Sequence, residues 1–274
     1  MMVDTHRRMI AAEHAGPPPR PTPARRGLPA GIALAASLLI FLAAWQLLVA
    51  LRNYPAFILP SPVEVFRRLA LELSGGTLLH HASLTLAEAL AGFGIAFVIS
   101  GILGYLLAHA PRAERIVTPQ LAVTQAIPVV AVAPLIILWV GADIRARILV
   151  AAIVTFFPIL SATITALRGV PRELREMATI SGAGQRQVLW YVELPLALPG
   201  IFAGVKTGLA LATTGAVVGE FVGGRDGLGA LINIARGLFD TPLMFAALVV
   251  LAAMTLAFYL AAVLLERALV RWEA

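Results

Sequence analysis

The chain of 274 residues contains no cysteine, which excludes disulfides, thiolate metal sites and cysteine nucleophiles. Charge is also scarce. Asp, Glu, Lys and Arg fill 13% of positions, against about a quarter in soluble domains. No G-x-x-x-x-G-K-[ST] run occurs, and "GGRDGLG" from Gly223 to Gly229 lacks both the lysine and a preceding strand, so no phosphate-cradling loop for ATP is present. His80 and His81 are neighbours, and adjacent residues on a helix do not share a face, which leaves a metal site without partners. No spacing of Ser, His and acid suggests a nucleophile.

What the chain has instead is apolar length. Hydrophobic residues fill 59% of positions and mean hydropathy is +0.88. A hydrocarbon core ~30 Å thick takes about 20 apolar residues at a helical rise of ~1.5 Å. Six segments meet that length: Gly31 to Leu51, Ala82 to Ala108, Val117 to Val140, Ile148 to Leu167, Ala197 to Val222 and Leu243 to Leu265. They lack the alternation of barrel strands, and helices satisfy their own backbone in lipid. The expected architecture is an all-α, polytopic membrane protein of about six transmembrane helices.

The net charge of +6 comes from arginines flanking these spans, which reads as membrane orientation and not as nucleic-acid binding. With the N-terminus inside, thirteen arginines fall on the cytoplasmic side and seven outside, so both termini are expected in the cytoplasm. Residues 1–27 are rich in Pro and Arg and have no apolar period. They are expected to form a disordered cytoplasmic tail ahead of a membrane domain over 28–274. The tail is acidic as well as basic, unlike a transit peptide, and the first span is too long for a cleaved signal.

Several residues within the spans stand out. Glu88, Lys206 and Glu220 are ionisable, and intramembrane charges mark function by default. Glu88 is expected near the outer end, within reach of water. Lys206 could snorkel to the cytoplasmic interface and Glu220 lies near its helix end, so each has a functional and a plain reading. Pro119, Pro128, Pro134 and Pro158 remove helix hydrogen bonds, which is tolerated where other helices or a cavity satisfy the freed carbonyls. With Gln125, Thr124, Thr155, Ser161, Thr213 and Thr214 they outline a translocation path. Small polar residues also bind helices together. Gly223, Gly224, Gly227 and Gly229 form either a flexible turn or a gate lining.

One stretch breaks the apolar pattern: "EMATISGAGQRQVLWYVELP", Glu176 to Pro195. Val170, Leu174, Met177, Ala178 and Ser181 fall at helical spacing, and Arg172 lies four residues before Glu176, predicting a short amphipathic helix. Gly182 and Gly184 should end it. A second short helix is expected over Gln185 to Val192, stopped by Pro195 and Pro199, which restart the chain as the fifth span.

Glu176, Met177, Ala178, Gly182, Val192, Leu194 and Pro195 resemble the EAA loop of binding-protein-dependent ABC importer permeases, with Met177 in place of the usual alanine. "ILPSPVEV", "AIPVVAVAPLIILWVG", "FFPILSATITALRGV" and "GEFVGGRDGLGALI" are similar to the branch serving sulfonates, taurine, nitrate and vitamin precursors. The resemblance implies the type I (MetI-like) permease fold and a transport subunit, not an enzyme, in the bacterial inner membrane, with no cofactor. It implies that the loop, about 168–198, couples to separate ATP-binding cassette subunits. A second permease copy and an extracytoplasmic solute-binding protein complete the implied assembly. From the prolines, polar groups and charge within the spans, Gln125, Pro128, Pro134, Pro158, Thr213 and Glu220 are the candidates for the path. The last motif leans toward riboflavin or a thiamine pyrimidine precursor as solute.

Two other readings remain at this point: a solvated surface hairpin, and an ion-coupled carrier or other self-sufficient membrane protein. A carrier calls for repeats with broken helices and mid-membrane charges, and no internal repeat is visible here.

Because the first 26 or so residues cannot bury a core, a chain starting at Gly27 should insert and assemble like the full chain. Membrane fractionation and size-exclusion chromatography of the truncated protein check this, and failure to insert would refute it.

Overall fold

The structure, a computed structural model, describes residues 30–270. The tail expected over 1–27 and Arg271 lie outside the described residues, as does the side chain of Thr124. The described residues form helices and turns with no strand.

Ala30–Arg52 (α1) is a 23-residue helix with no charge before Arg52. From Gln46 onward the chain forms a second unit, whose helices are Pro62–Ser74 (α2), Thr77–His109 (α3), Pro111–Gln125 (α4), Val129–Val140 (α5) and Ile144–Arg168 (α6). Arg172–Ile180 (α7) and Gln185–Val188 (α8) follow, then a π-helical turn, Leu189–Glu193, and Leu194–Gly223 (α9), Leu228–Gly237 (α10) and Thr241–Leu269 (α11). Among the described residues five runs are long and apolar enough to cross a membrane: Gly31–Arg52, Thr77–His109, Ile144–Arg168, Gln185–Gly223 and Thr241–Leu269. Val129–Val140 is apolar but shorter.

The third expected span is therefore not one helix. It breaks after Gln125 and resumes at Val129. Pro128, with φ −59° and ψ 121°, has no N–H to continue α4 and drives Ile127 out of the helical region. Its carbonyl then accepts from the Ala131 N–H at 2.9 Å, which starts α5.

The bundle is built around α6, which lies between α3 and α9. In lipid, apolar surface alone does not hold helices together, so close backbone approach through small residues takes over. On α9 the facing positions are Gly200, Gly204, Gly208, Ala212, Gly215 and Gly219. A Cβ at Gly204 would lie 2.5 Å from the Ala162 Cβ, and one at Gly215 would lie 2.7 Å from the Ala151 Cα. The α3 face repeats the device, with Gly92 against Ala151 and Gly104 against Thr163. Ser100 adds one polar contact, its hydroxyl donating to the Phe156 carbonyl at 2.8 Å.

At the end of α9 away from α7 and α8, charge is buried. Arg147, at the start of α6, lies 2.7 Å from Glu88 of α3, and Glu88 is wholly buried. The expectation that Glu88 reaches water is thus corrected. α6 begins at Ile144, earlier than its hydropathy suggested, and carries Arg147 inward as the partner. Arg147 also donates to the Asp226 carbonyl at 3.0 Å. Glu220, equally buried, accepts from the Thr85 hydroxyl at 2.6 Å and the Gly229 N–H at 2.6 Å. The Leu228 N–H donates to Thr85 Oγ1 and the Gly227 N–H to His81 Nδ1, each at 2.9 Å. Gly227 adopts φ +105°, and a Cβ there would strike the Glu220 carboxyl. The glycine-rich turn is therefore held in place on both sides, which decides against a merely flexible connection.

The segment before α2 is tied to the same end. Thr241 donates to the Phe57 carbonyl at 2.6 Å, and Arg68 meets Asp240 at 2.7 Å. Ser61 and Glu64 close a reciprocal capping box at the start of α2, which satisfies two otherwise orphan N–H groups. Lys206 pairs with Glu266 of α11, 2.8 Å away.

Leucine at Gly204 would have to displace α6, and overpacking of this sort costs about 1–3 kcal/mol. Gly204→Leu should lower the thermal stability of the purified chain, whereas Gly94→Leu, with nothing within 4 Å of its Cβ position, should leave it unchanged. Equal melting temperatures for the two variants would refute the close-packing account.

Candidate functional site

In the hairpin between α6 and α9 two short, polar helices interrupt long apolar ones. Arg172–Ile180 has a strong amphipathic pattern with no buried residue. Its end is set by Gly182, at φ +86°. The Ala183 N–H donates to the Ala178 carbonyl and the Gly182 N–H to the Thr179 carbonyl, each at 3.0 Å. That pair of bonds is the Schellman motif, and it requires a left-handed residue that glycine adopts without strain. The chain reverses, and the Gln187 side chain accepts from the Gly184 N–H at 2.9 Å to start the second limb.

The second limb does not stop at Pro195. It runs on as a continuous helical segment, Gln185–Gly223. The π turn Leu189–Glu193 ends immediately before Leu194 and Pro195, which occupy the first turn of α9. The wider turn moves aside the carbonyl that the proline ring would otherwise strike, so the sequence-predicted stop is absorbed.

The fold gathers most of the sequence-predicted loop residues. Met177, Val192 and Pro195, with Leu174, Tyr191 and Leu196, line an apolar groove of about 390 Å³. Ala178 and Gly182, with Ser181, Ala183, Gln187, Tyr191 and Val192, line a second depression beside it. Leu194 is half-buried beneath the groove. Glu176 is exposed and meets Arg172 at 2.6 Å on its own helix. Ile180 is 87% exposed, Tyr191 79% and Trp190 60%, so the hairpin presents apolar and aromatic side chains on a charged surface.

Beneath this surface lies a link that the sequence reading missed. Glu193, 3% exposed, places one carboxylate oxygen 2.9 Å from His109 Nε2 at the end of α3 and 3.1 Å from Arg175 Nε on α7. Arg175 also donates to the Leu167 carbonyl at 2.5 Å. An apolar base of Leu167, Val170 and Ala197, with Tyr105 and Val192 against it, completes the seat.

The residues proposed for a translocation path are distributed over α4, the break after it, α5, α6 and α9. Gln125, Pro128 and Pro134 are exposed and Pro158 is half-buried in α6. Thr213 is buried and donates back to the Leu209 carbonyl at 3.4 Å. Glu220 is committed to the glycine-rich turn. Thr155 and Thr163 likewise bond carbonyls one turn back on α6. Among the described residues no three His, Asp or Glu side chains cluster as a metal site.

Comparison with known proteins is consistent with this geometry. Residues 96–272 match the family described as "Binding-protein-dependent transport system inner membrane component". The riboflavin transport system permease protein RibX of Chloroflexus aurantiacus is 59% identical over 243 residues, 89% of this chain and 91% of that protein. A putative aliphatic sulfonates transport permease protein SsuC of Bacillus subtilis is 32% identical, covering 97% of this chain and 98% of the relative. Among solved structures, an inward-facing MetNI methionine ABC transporter chain superposes with a TM-score of 0.65 at 23% identity. The match covers 72% of this chain and 98% of that one, which shows a shared fold. The chain belongs to the binding-protein-dependent transport system inner membrane components, with the MetI-like type I permease fold, and it is a permease subunit of an ABC importer.

Proposed function

We propose that the hairpin over about 168–198 is the face on which a separate ATP-binding cassette subunit docks, and that riboflavin is the solute carried. The observation that carries the docking reading is the exposed apolar groove, with Tyr191 shared by both depressions. Aromatic side chains seated in a patch with a charged rim are the usual anchors of protein interfaces. The chain has no phosphate-cradling loop, so the energy source is a partner. A second permease copy and an extracytoplasmic solute-binding protein complete the assembly. Both termini lie in the cytoplasm, in line with the arginine distribution.

The lean toward riboflavin is supported by RibX, whose name assigns that solute to the relative. Glu88, Arg147 and Glu220 act in this reading as the brace of the opposite face, and Thr213 as helix-helix packing. Pro128, Pro134 and Gln125 remain the candidates for a path surface, because they are the exposed ones.

Co-expression of the chain with its ATPase and binding protein in riboflavin-requiring cells should permit growth on low external riboflavin. Purified binding protein that takes up no riboflavin, as read by quenching of flavin fluorescence, would overturn the solute assignment.

A side chain at Gly182 must adopt a left-handed conformation that costs about 1–2 kcal/mol. Gly182→Leu should therefore leave the spans inserted but misdirect the second limb, lowering uptake and ATPase pull-down together by at least about tenfold. Glu176→Lys, which sets two cations one turn apart beside Arg172, should weaken pull-down in the same direction. Normal uptake by both variants at normal expression would remove the docking role from this hairpin.

A further inference from the structure

We propose that Glu193, acting through His109 and Arg175, is the positioning residue that transmits movement of the hairpin into α3; this rests on the docking reading above. Three observations carry it. Glu193 is 3% exposed within a segment whose charged side chains other than its partner Arg175, namely Arg172, Glu173, Glu176 and Arg186, are exposed. A single oxygen, Oε1, faces both a cation from α7 and the ring of His109 from α3, at 3.1 Å and 2.9 Å. The carboxylate sits in the π turn, and single π-helical turns inside longer helices recur at functional positions.

The chemistry distinguishes this link from an apolar contact. Apolar surfaces can slide over one another at little cost, but a buried carboxylate loses much when one partner is withdrawn, so its geometry is enforced. Arg175 is itself fixed to the end of α6 through the Leu167 carbonyl. His109 is fixed by its own helix, with Nδ1 2.9 Å from the Tyr105 carbonyl and its ring 4.4 Å from the Tyr105 ring. Rotation of α7 cannot occur without moving either Glu193 or the end of α3. The far parts of α3 and α6 are the helices that hold Glu88 and Arg147. A push on the hairpin is thus delivered to the two elements that brace the opposite face. The groups facing Glu193 are His109, Arg175 and, along the same cavity, Tyr105, Thr179 and Gln185.

The test uses the full chain with its ATPase and binding protein in proteoliposomes, with riboflavin as the transported probe. Glu193→Gln keeps the shape and removes the charge, and His109→Ala removes the other half of the link from a more exposed position. Each variant should retain the ATPase on purification and hydrolyse ATP within about twofold of the wild type. Riboflavin moved per ATP should fall at least about tenfold, and stimulation of hydrolysis by the binding protein should disappear, because the signal from the opposite face would reach the hairpin through the same link. The combined variant should be no worse than either single one. An unchanged ratio and unchanged stimulation overturn the link. So does loss of ATPase retention in both variants, which would make Glu193 a staple of the fold. A wild-type chain that holds no ATPase sinks the docking reading and the link with it; a coupled wild type beside equally coupled variants sinks the link alone. If riboflavin is not moved by the wild type, stimulation by the binding protein decides by itself.

Discussion

Contact between α6 and its two neighbours is possible because the facing positions carry hydrogen or methyl in place of longer side chains. Lipid tails solvate a leucine as well as another leucine does, so a helix in the bilayer gains little by hiding apolar surface. What it can gain is dispersion, which falls off steeply with separation. Glycine at 204 and 215 and alanine at 212, set against Ala162, Ile159 and Ala151, bring backbones near enough for many such contacts at once. Every other feature of the second unit hangs on that seam. It fixes the heights at which Arg147 meets Glu88 and Leu167 meets Arg175.

A bundle held by small residues is tight but has few directional contacts, and the polar groups supply them. They sit at two levels. One level joins α3, α6, α9 and the glycine-rich turn through Glu88, Arg147, Thr85 and Glu220. The other joins the ends of α3 and α6 to the hairpin through His109, Glu193 and Arg175. Between them Thr155 and Thr163 bond their own backbone, and Ser100 of α3 crosses to the Phe156 carbonyl of α6. Lys206 of α9 likewise crosses to Glu266 of α11.

How much of this was legible in the sequence varied with the range of the signal. Five of the six spans and the all-α class follow from length and charge alone, and the hairpin stood out because charge and glycine return there. The split of the third span was missed because hydropathy averages over Pro128, whose effect is local to the backbone. Glu88 was misread because its partner, Arg147, lies outside the apolar stretch that defined the fourth span. Nothing in the sequence marks Glu193, which sits between Val192 and Leu194 inside a motif noted for its other residues. Its partners come from helices far away in the chain. The predicted stop at Pro195 failed for a different reason: a π turn is an unusual local geometry that no periodicity announces.

That turn makes Gln185–Gly223 one rod instead of two. At ~1.5 Å per residue its 39 residues extend about 58 Å, with the hairpin's second limb as the short arm and the stretch ending near Glu220 as the long one. This rod is seated on α6 at Gly200, Gly204, Gly208, Gly215 and Gly219, so its end at Tyr191 and its end at Gly223 share one continuous support.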